Sequence, residues 1–128
     1  MSDAVEHYKR GMTLYGAGKN EEAIEAFQAA LEERPDWSDC LQAMGMAQMN
    51  CGRLDEALAT LQRVVELAPE DPLAYTSLSM IWVRKENIEE AEKAQAKARL
   101  LSWKEELKSN PNAPPPDPAG PGGMPVTQ

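Results

Sequence analysis

The chain has 128 residues and a formal net charge of −8 at pH 7, because 21 Asp and Glu outnumber 13 Lys and Arg. An acidic surface repels phosphate backbones and anionic lipid headgroups, which disfavours nucleic acid and membrane surfaces as partners. No apolar run reaches the roughly 18 to 20 residues that span a bilayer, and the first residues do not resemble a secretory signal. These features predict a cytoplasmic protein that is not inserted in a membrane.

The first two apolar stripes predict a pair of antiparallel helices. One stripe recurs at helical spacing and comprises Tyr8, Met12 and Tyr15. A second stripe runs over residues 23–31, and residues 16–20, which include two glycines, separate the two stripes. Glycines at that density break a helix, so we expect a turn there, and Pro35 ends the second helix.

The same cycle then restarts twice. We expect further helices over about 38–50, 54–67 and 72–85, and a sixth from about Ile88. Asp36 or Ser38 is expected to cap the third helix by accepting free N–H bonds from its first turn. Pro72 suits the first position of the fifth helix, where its missing N–H does no harm.

The sixth helix is predicted to run on to about Lys108, because Trp103 stands where Pro35 and Pro69 close the earlier cycles. The open end of a helical stack needs a cover, since no further unit buries its apolar face. The expected cover consists of Leu100, Leu101, Trp103 and Leu107. Trp103 has a second interpretation, as part of a contact between two copies of the chain.

Residues 110–128 have the composition of a disordered or polyproline-like tail. They hold seven of the ten prolines and three of the eight glycines, and such segments bury too little apolar surface to become ordered. The tail would act as a tether or, alternatively, as a ligand for a proline-reading domain.

The chemistry-bearing residues favour a protein without catalytic activity, metal or cofactor. One histidine and two cysteines, Cys40 and Cys51, offer no set of four zinc ligands at suitable spacing. Eleven residues of one helix would separate the two thiols by about 16 Å, too far for a disulfide, so we expect free thiols or, alternatively, an intermolecular bridge. No phosphate loop or nucleophile motif is present.

The chain nearly repeats itself every 34 residues: Gly11, Ala23 and Pro35 return as Gly45, Ala57 and Pro69, and Ala91 continues the alanine series. Together with Phe27 and Leu78, these positions resemble the tetratricopeptide repeat, a helix-turn-helix unit. The resemblance implies three repeats over about 4–37, 38–71 and 72–103 in a domain of residues 1–109. The departures from its pattern are His7, Arg10, Ser79 and Gln95.

The fold class implied is therefore all-α: a right-handed superhelical stack of three helix-turn-helix repeats, with an extended carboxy-terminal capping helix and a disordered tail. Independently of the family, the small residues suit points where two helices cross, since axes approach to about 8 Å only over a small side chain. Gly11 and Gly45 are expected at such crossings, with Phe27 and Leu61 filling the space beside them.

By resemblance, the first helix of each repeat lines a concave groove. Met12, Met46 and Met80 are spaced by 34 residues on that face, and Met side chains accept varied apolar ligands. The other predicted groove residues are Tyr8, Tyr15, Met49, Asn50, Thr76, Val83 and Arg84, with Val5, Asp39 and Leu73 near the edge. The alternative is that the Met row is only packed between helices.

Some members of the family clamp the carboxyl terminus of heat-shock chaperones with Lys, Arg and Asn side chains. The corresponding residues here are Tyr8, Met12, Ala43, Leu73 and Ser77. None is cationic, so no such clamp is expected, because nothing neutralises a bound carboxylate.

The function predicted is non-catalytic binding of a protein or peptide with apolar side chains, as an adaptor or assembly factor. A different class is a self-assembling scaffold, a homo-oligomer held by end helices or tail. A third alternative is a secretion-type chaperone, disfavoured because those chaperones carry an extra helix before the first repeat.

Overall fold

The computed structural model describes residues 3–116, which form six α-helices. They are α1 (Asp3–Gly16), α2 (Asn20–Glu33), α3 (Ser38–Asn50), α4 (Leu54–Leu67), α5 (Pro72–Arg84) and α6 (Ile88–Ser109). The predicted bounds of α3 and α4 are confirmed, and those of α5 and α6 differ by one residue at their ends. Across residues 3–116, no helix combines the length and apolarity needed to cross a membrane.

The helices form three antiparallel pairs that stack in chain order. Within a pair, α1 packs on α2, α3 on α4 and α5 on α6, while α2 contacts α3 and α4 contacts α5. The first helices of the pairs also meet, since α3 contacts both α1 and α5. The chain is thus an all-α superhelical stack, and its apolar core runs through all three pairs.

The turn inside each pair has one backbone geometry, repeated at 34-residue spacing. Gly18, Gly52 and Glu86 have φ of 80°, 82° and 63°, in the left-handed region that costs a residue with a Cβ about 1–2 kcal/mol. The residue after each of them donates its N–H to a carbonyl five residues back, at 2.9 Å in all three turns. This is the Schellman ending of a helix, and the third turn makes it without glycine.

The predicted side-chain cap of α3 is wrong. The residue at that helix's start is Trp37, with no hydrogen bond from a side chain, and the Asp36 carboxylate instead accepts from Arg63 Nη2 at 2.5 Å. Helices α5 and α6 do carry side-chain caps: Asp71 Oδ1 accepts from the N–H of Leu73 at 3.0 Å, and Asn87 Oδ1 accepts from the N–H of Glu90 at 3.1 Å.

The small residues lie at helix crossings, as predicted. A Cβ added to Gly11 would lie 2.5 Å from Phe27 Cε1, and one added to Gly45 would overlap Leu61 Cδ2. Phe27 and Leu61 are fully buried, so each glycine admits a large side chain from the partner helix into the crossing.

The carboxy-terminal end differs from prediction at its boundary. Residues 110–116, predicted as part of the disordered tail, turn back onto α6, and Ala113 is only 6% exposed there. The turn is closed by the Ala113 N–H donating to the Asn110 carbonyl at 3.0 Å. Leu101 is buried in the end helix, whereas Leu100 is 37% exposed and contributes little cover. The rest of the predicted tail, 117–128, lies outside the described residues.

Candidate partner-binding groove

The first helices of the three pairs, α1, α3 and α5, together line a concave cavity of about 370 Å³, here called the groove. Its described lining residues are Tyr8, Met12, Tyr15, Asp39, Gln42, Ala43, Met46, Leu73, Thr76, Ser77 and Met80. The three Met come from equivalent turns of the three helices, because they are 34 residues apart. Residues at equivalent positions of the three repeats therefore lie side by side on one continuous surface.

The Met row is accessible along most of its length. Met12 is 40% exposed and Met80 45% exposed, while Met46 between them is half-buried against the core. Packing between helices does not explain side chains exposed to that extent. The row presents flexible thioether side chains that can adapt to an apolar ligand.

Tyr8 forms a rigid wall at one end of the groove. Its ring packs on Trp37 at a centroid distance of 4.6 Å and on Phe27 at 6.0 Å. Burial raises the pKa of the Tyr8 hydroxyl, and the negative charge of Asp39 raises it further. Tyr8 therefore remains a neutral donor next to the Asp39 carboxylate.

Gln42 and Ser77 form a polar link across the groove floor that the sequence-based prediction missed. Gln42 Nε2 donates a hydrogen bond to Ser77 Oγ, joining α3 to α5, while Gln42 Oε1 has no hydrogen-bond partner among the described residues. The missed signal was the period itself, because Gln42 lies 34 residues after Tyr8 and 34 before Thr76.

Five predicted groove residues lie outside the cavity lining, and one of them is Val5, which was predicted near the edge. Met49 is 3% exposed and packs in the core, since α3 is flanked by both α1 and α5. Val83, at the equivalent position of α5, is 52% exposed. Asn50 donates from Nδ2 to Asn20 Oδ1 at 3.3 Å, and Arg84 Nη1 donates to the Met49 carbonyl at 3.4 Å.

The positions that would hold a chaperone carboxylate do meet in the groove, but they carry no charge. Tyr8, Met12, Ala43, Leu73 and Ser77 all line it. Among the lining residues that the structure describes, Asp39 is the charged one, and it is anionic. The groove thus presents a neutral, largely apolar surface with one acidic edge.

Stacked helix pairs with a groove along their first helices define a helical-repeat protein. The chain belongs to the tetratricopeptide repeat family, because the family model described as "Tetratricopeptide repeat" matches residues 14–81, more than half of its length.

Two curated relatives match part of the chain. The photosystem I assembly protein Ycf3 of Synechococcus sp. (strain WH7803) is 29% identical over 93 residues, covering 70% of this chain and 54% of Ycf3. The rhomboid protease GluP of Bacillus subtilis (strain 168) is 30% identical over 72 residues, covering 56% of this chain and 14% of GluP. The chain therefore spans about half of one relative and a small part of the other.

Among solved structures, the chain is similar to the type III secretion translocator chaperone SycD of Yersinia enterocolitica. That structure aligns with a TM-score of 0.77 at 22% identity, covering 85% of this chain and 83% of SycD. SycD in complex with a peptide of the translocator YopD aligns with a TM-score of 0.75 at 24% identity, covering 85% of each chain. At this identity the likeness establishes the fold alone.

Proposed function

We propose that this chain is a non-catalytic interaction module, an adaptor or assembly factor that binds a peptide segment of a partner protein in the groove. The single observation that carries the proposal is the exposure of Met12 and Met80 on a concave surface shared by three helices. Exposed apolar surface of this kind marks interaction sites in soluble proteins. The residues proposed to contact the partner are the Met row with Tyr8, Tyr15, Leu73 and Thr76, and Asp39 and Gln42 beside them.

The relatives support an interaction role without naming the partner. Ycf3 is an assembly protein, and SycD is a chaperone whose structure includes a bound peptide. The free thiols Cys40 and Cys51 suit the reducing cytoplasm that we propose as the location.

The apolar area that a bound peptide buries sets the expected strength of binding. Burying some 300 Å² of apolar surface at about 25 cal/mol per Å² contributes roughly 7 kcal/mol before the entropy cost of association. That leaves an affinity of about micromolar or weaker, typical of a reversible partner contact rather than a permanent complex.

The test is a pull-down with the tagged full-length chain from its native host, with partners identified by mass spectrometry. The double variant Met12→Glu, Met80→Glu places two charges on the exposed ends of the Met row and is expected to lose the partners. The matched control is Ile88→Glu, Leu100→Glu, since these side chains are 55% and 37% exposed outside the groove. Circular dichroism establishes that both variants fold. Partners retained by the groove variant would refute the proposal.

The self-assembling scaffold is the less favoured candidate. Its contacts between copies would come from the end helices or the tail, and one candidate, the Trp103 indole, instead donates its N–H within the chain, to the Ala113 carbonyl. Under the adaptor proposal, light scattering detects a mass that is independent of concentration. A mass that rises with concentration and falls in Trp103→Glu would instead favour the scaffold.

A further inference from the structure

We propose that the groove selects a basic amphipathic segment, in which apolar side chains lie on the Met row and a Lys or Arg pairs with Asp39. The inference rests on the proposed function and specifies the chemistry of the partner. It concerns the charged edge of a groove whose other described lining residues are neutral.

Asp39 is an exposed carboxylate without an ionic partner in residues 3–116. It lies in the first turn of α3 and lines the groove beside Tyr8. The ion pairs of the described chain use other carboxylates; for example, Arg63 pairs with Asp36 at 2.5 Å and Lys85 with Asp55 at 2.6 Å. Asp39 is therefore available to a cation supplied by the partner.

The surroundings strengthen the preference for a cation. The described side chains that share the groove with Asp39 are neutral, so no lysine or arginine among them offsets its field. The chain's net charge of −8 also attracts basic segments at long range. A ligand with a carboxylate at this edge is repelled for the same reasons.

The geometry also fixes the spacing of the ligand's groups. Asp39 and Met46 are seven residues apart on α3, which is about 10 Å along the helix axis at 1.5 Å per residue. An extended ligand along that axis spans about 10 Å with three residues, and a helical ligand with seven. We therefore expect the cation and an apolar anchor at i and i+3, or at i and i+7.

The experiment is selection of random 12-residue peptides displayed on phage against the immobilised full-length chain. We expect selected peptides to combine apolar residues with Lys or Arg at one of the two spacings. Asp39→Asn should abolish the cationic enrichment, and Asp39→Lys should reverse it towards Asp and Glu. Glu25→Gln is the control, since Glu25 is an exposed acid of α2 outside the groove.

The affinity of one selected peptide then measures the pair directly. Replacing its cation by norleucine should weaken binding about threefold to fivefold in the original chain at low salt, as for an exposed ion pair. The same replacement should change binding less than about 1.5-fold in Asp39→Asn. Together these two measurements form a double-mutant cycle.

The failure of this inference is distinguishable from the failure of the proposed function. Apolar peptides without cationic preference, or a preference unchanged in Asp39→Asn, would overturn the charge pairing alone. No enrichment, or binding that survives Met12→Glu, Met80→Glu, would overturn the groove as a binding site and the charge pairing with it.

Discussion

The indole nitrogen of Trp103 donates a hydrogen bond of 3.0 Å to the carbonyl oxygen of Ala113. This bond anchors the segment after α6, and it buries Ala113 to 6% exposure on the end of the stack. Trp103 occupies the position where Pro35 and Pro69 end the second helices of the earlier repeats. The third repeat thus continues as α6 and is covered by the chain's own carboxy-terminal segment instead of a further helix.

Removing this anchor should destabilise the domain measurably. Trp103→Phe keeps most of the ring but loses the hydrogen bond, and it should lower the free energy of unfolding by about 1 kcal/mol. Urea denaturation measures the change. A chain ending at Ser109 should lose at least as much, while a chain ending at Pro116, which keeps the contact, serves as its control. Equal stability of the two truncated chains would contradict a covering role for residues 110–116.

Gly11 should not tolerate a methyl group. Gly11→Ala places a Cβ 2.5 Å from Phe27 Cε1, and Phe27 is fully buried, so its ring would have to shift within the core. Overpacking of this kind costs about 1–3 kcal/mol, less the gain of up to about 1 kcal/mol in helix propensity. Thermal unfolding should show a lower midpoint.

A matched control for this crossing lies in the same helix. A Cβ at Gly16, the last residue of α1, meets nothing within 4 Å, so Gly16→Ala should be neutral or slightly stabilising. Phe27→Leu combined with Gly11→Ala should cost less than the sum of the two single changes, since they share one contact. Strict additivity would mean that the crossing does not depend on this pair.

Much of this fold could be predicted because its boundaries are set locally. Gly18 and Gly52 supply the positive φ of two turns, and Pro35 stops α2 by removing a backbone donor. Burial is not local: Met49 and Val83 share one position in the repeat, yet one is 3% and the other 52% exposed. The two positions differ in their flanking helices, because α3 is contacted by both α1 and α5. The 34-residue spacing alone does not reveal that difference.

The order of the carboxy-terminal segment likewise could not be predicted from the sequence. Its proline-rich composition predicts disorder, and no periodicity singles out Ala113. What orders the segment is a small residue placed against the Trp103 indole by the turn at Asn110. In the groove, by contrast, Gln42 could have been predicted from the sequence. The 34-residue spacing that identifies Met46 as a groove residue also identifies Gln42.

Glycine in the turn between α5 and α6 should stabilise the domain. Glu86 has φ 63° where the equivalent turns have Gly18 and Gly52, so Glu86→Gly relieves about 1–2 kcal/mol of backbone strain. Glycine's greater freedom in the unfolded chain offsets about 0.5–1 kcal/mol of that gain. The net expectation, measured by urea denaturation, is about 0.5–1 kcal/mol of added stability. Glu86→Ala, which removes the charge but keeps the strain, should bring no comparable gain; an equal gain would implicate the charge.

Alkaline pH should destabilise the domain through Cys40. The thiol is fully buried and donates towards the Phe27 carbonyl at an Sγ to O distance of 3.6 Å, and burial raises the pKa of Cys40 from 9.0 to about 11. The folded chain therefore keeps its proton at pH values where the unfolded chain loses it. The resulting stabilisation is fully present below pH 9 and is lost as the pH rises through 11, amounting to about 2–3 kcal/mol.

The raised pKa of Tyr8 also lowers stability at alkaline pH. Replacing Cys40 should therefore reduce the loss of stability between pH 8 and pH 11 without abolishing it. Urea midpoints of the reduced chain between pH 8 and pH 11 measure the fall, and Cys40→Ala should retain more of its stability over that range than the original chain. Cys51→Ala is the control, because Cys51 is only partly buried. Its replacement should leave most of the alkaline loss of stability unchanged. If Cys40→Ala and the original chain lose stability in parallel, the buried thiol is not the titrating group.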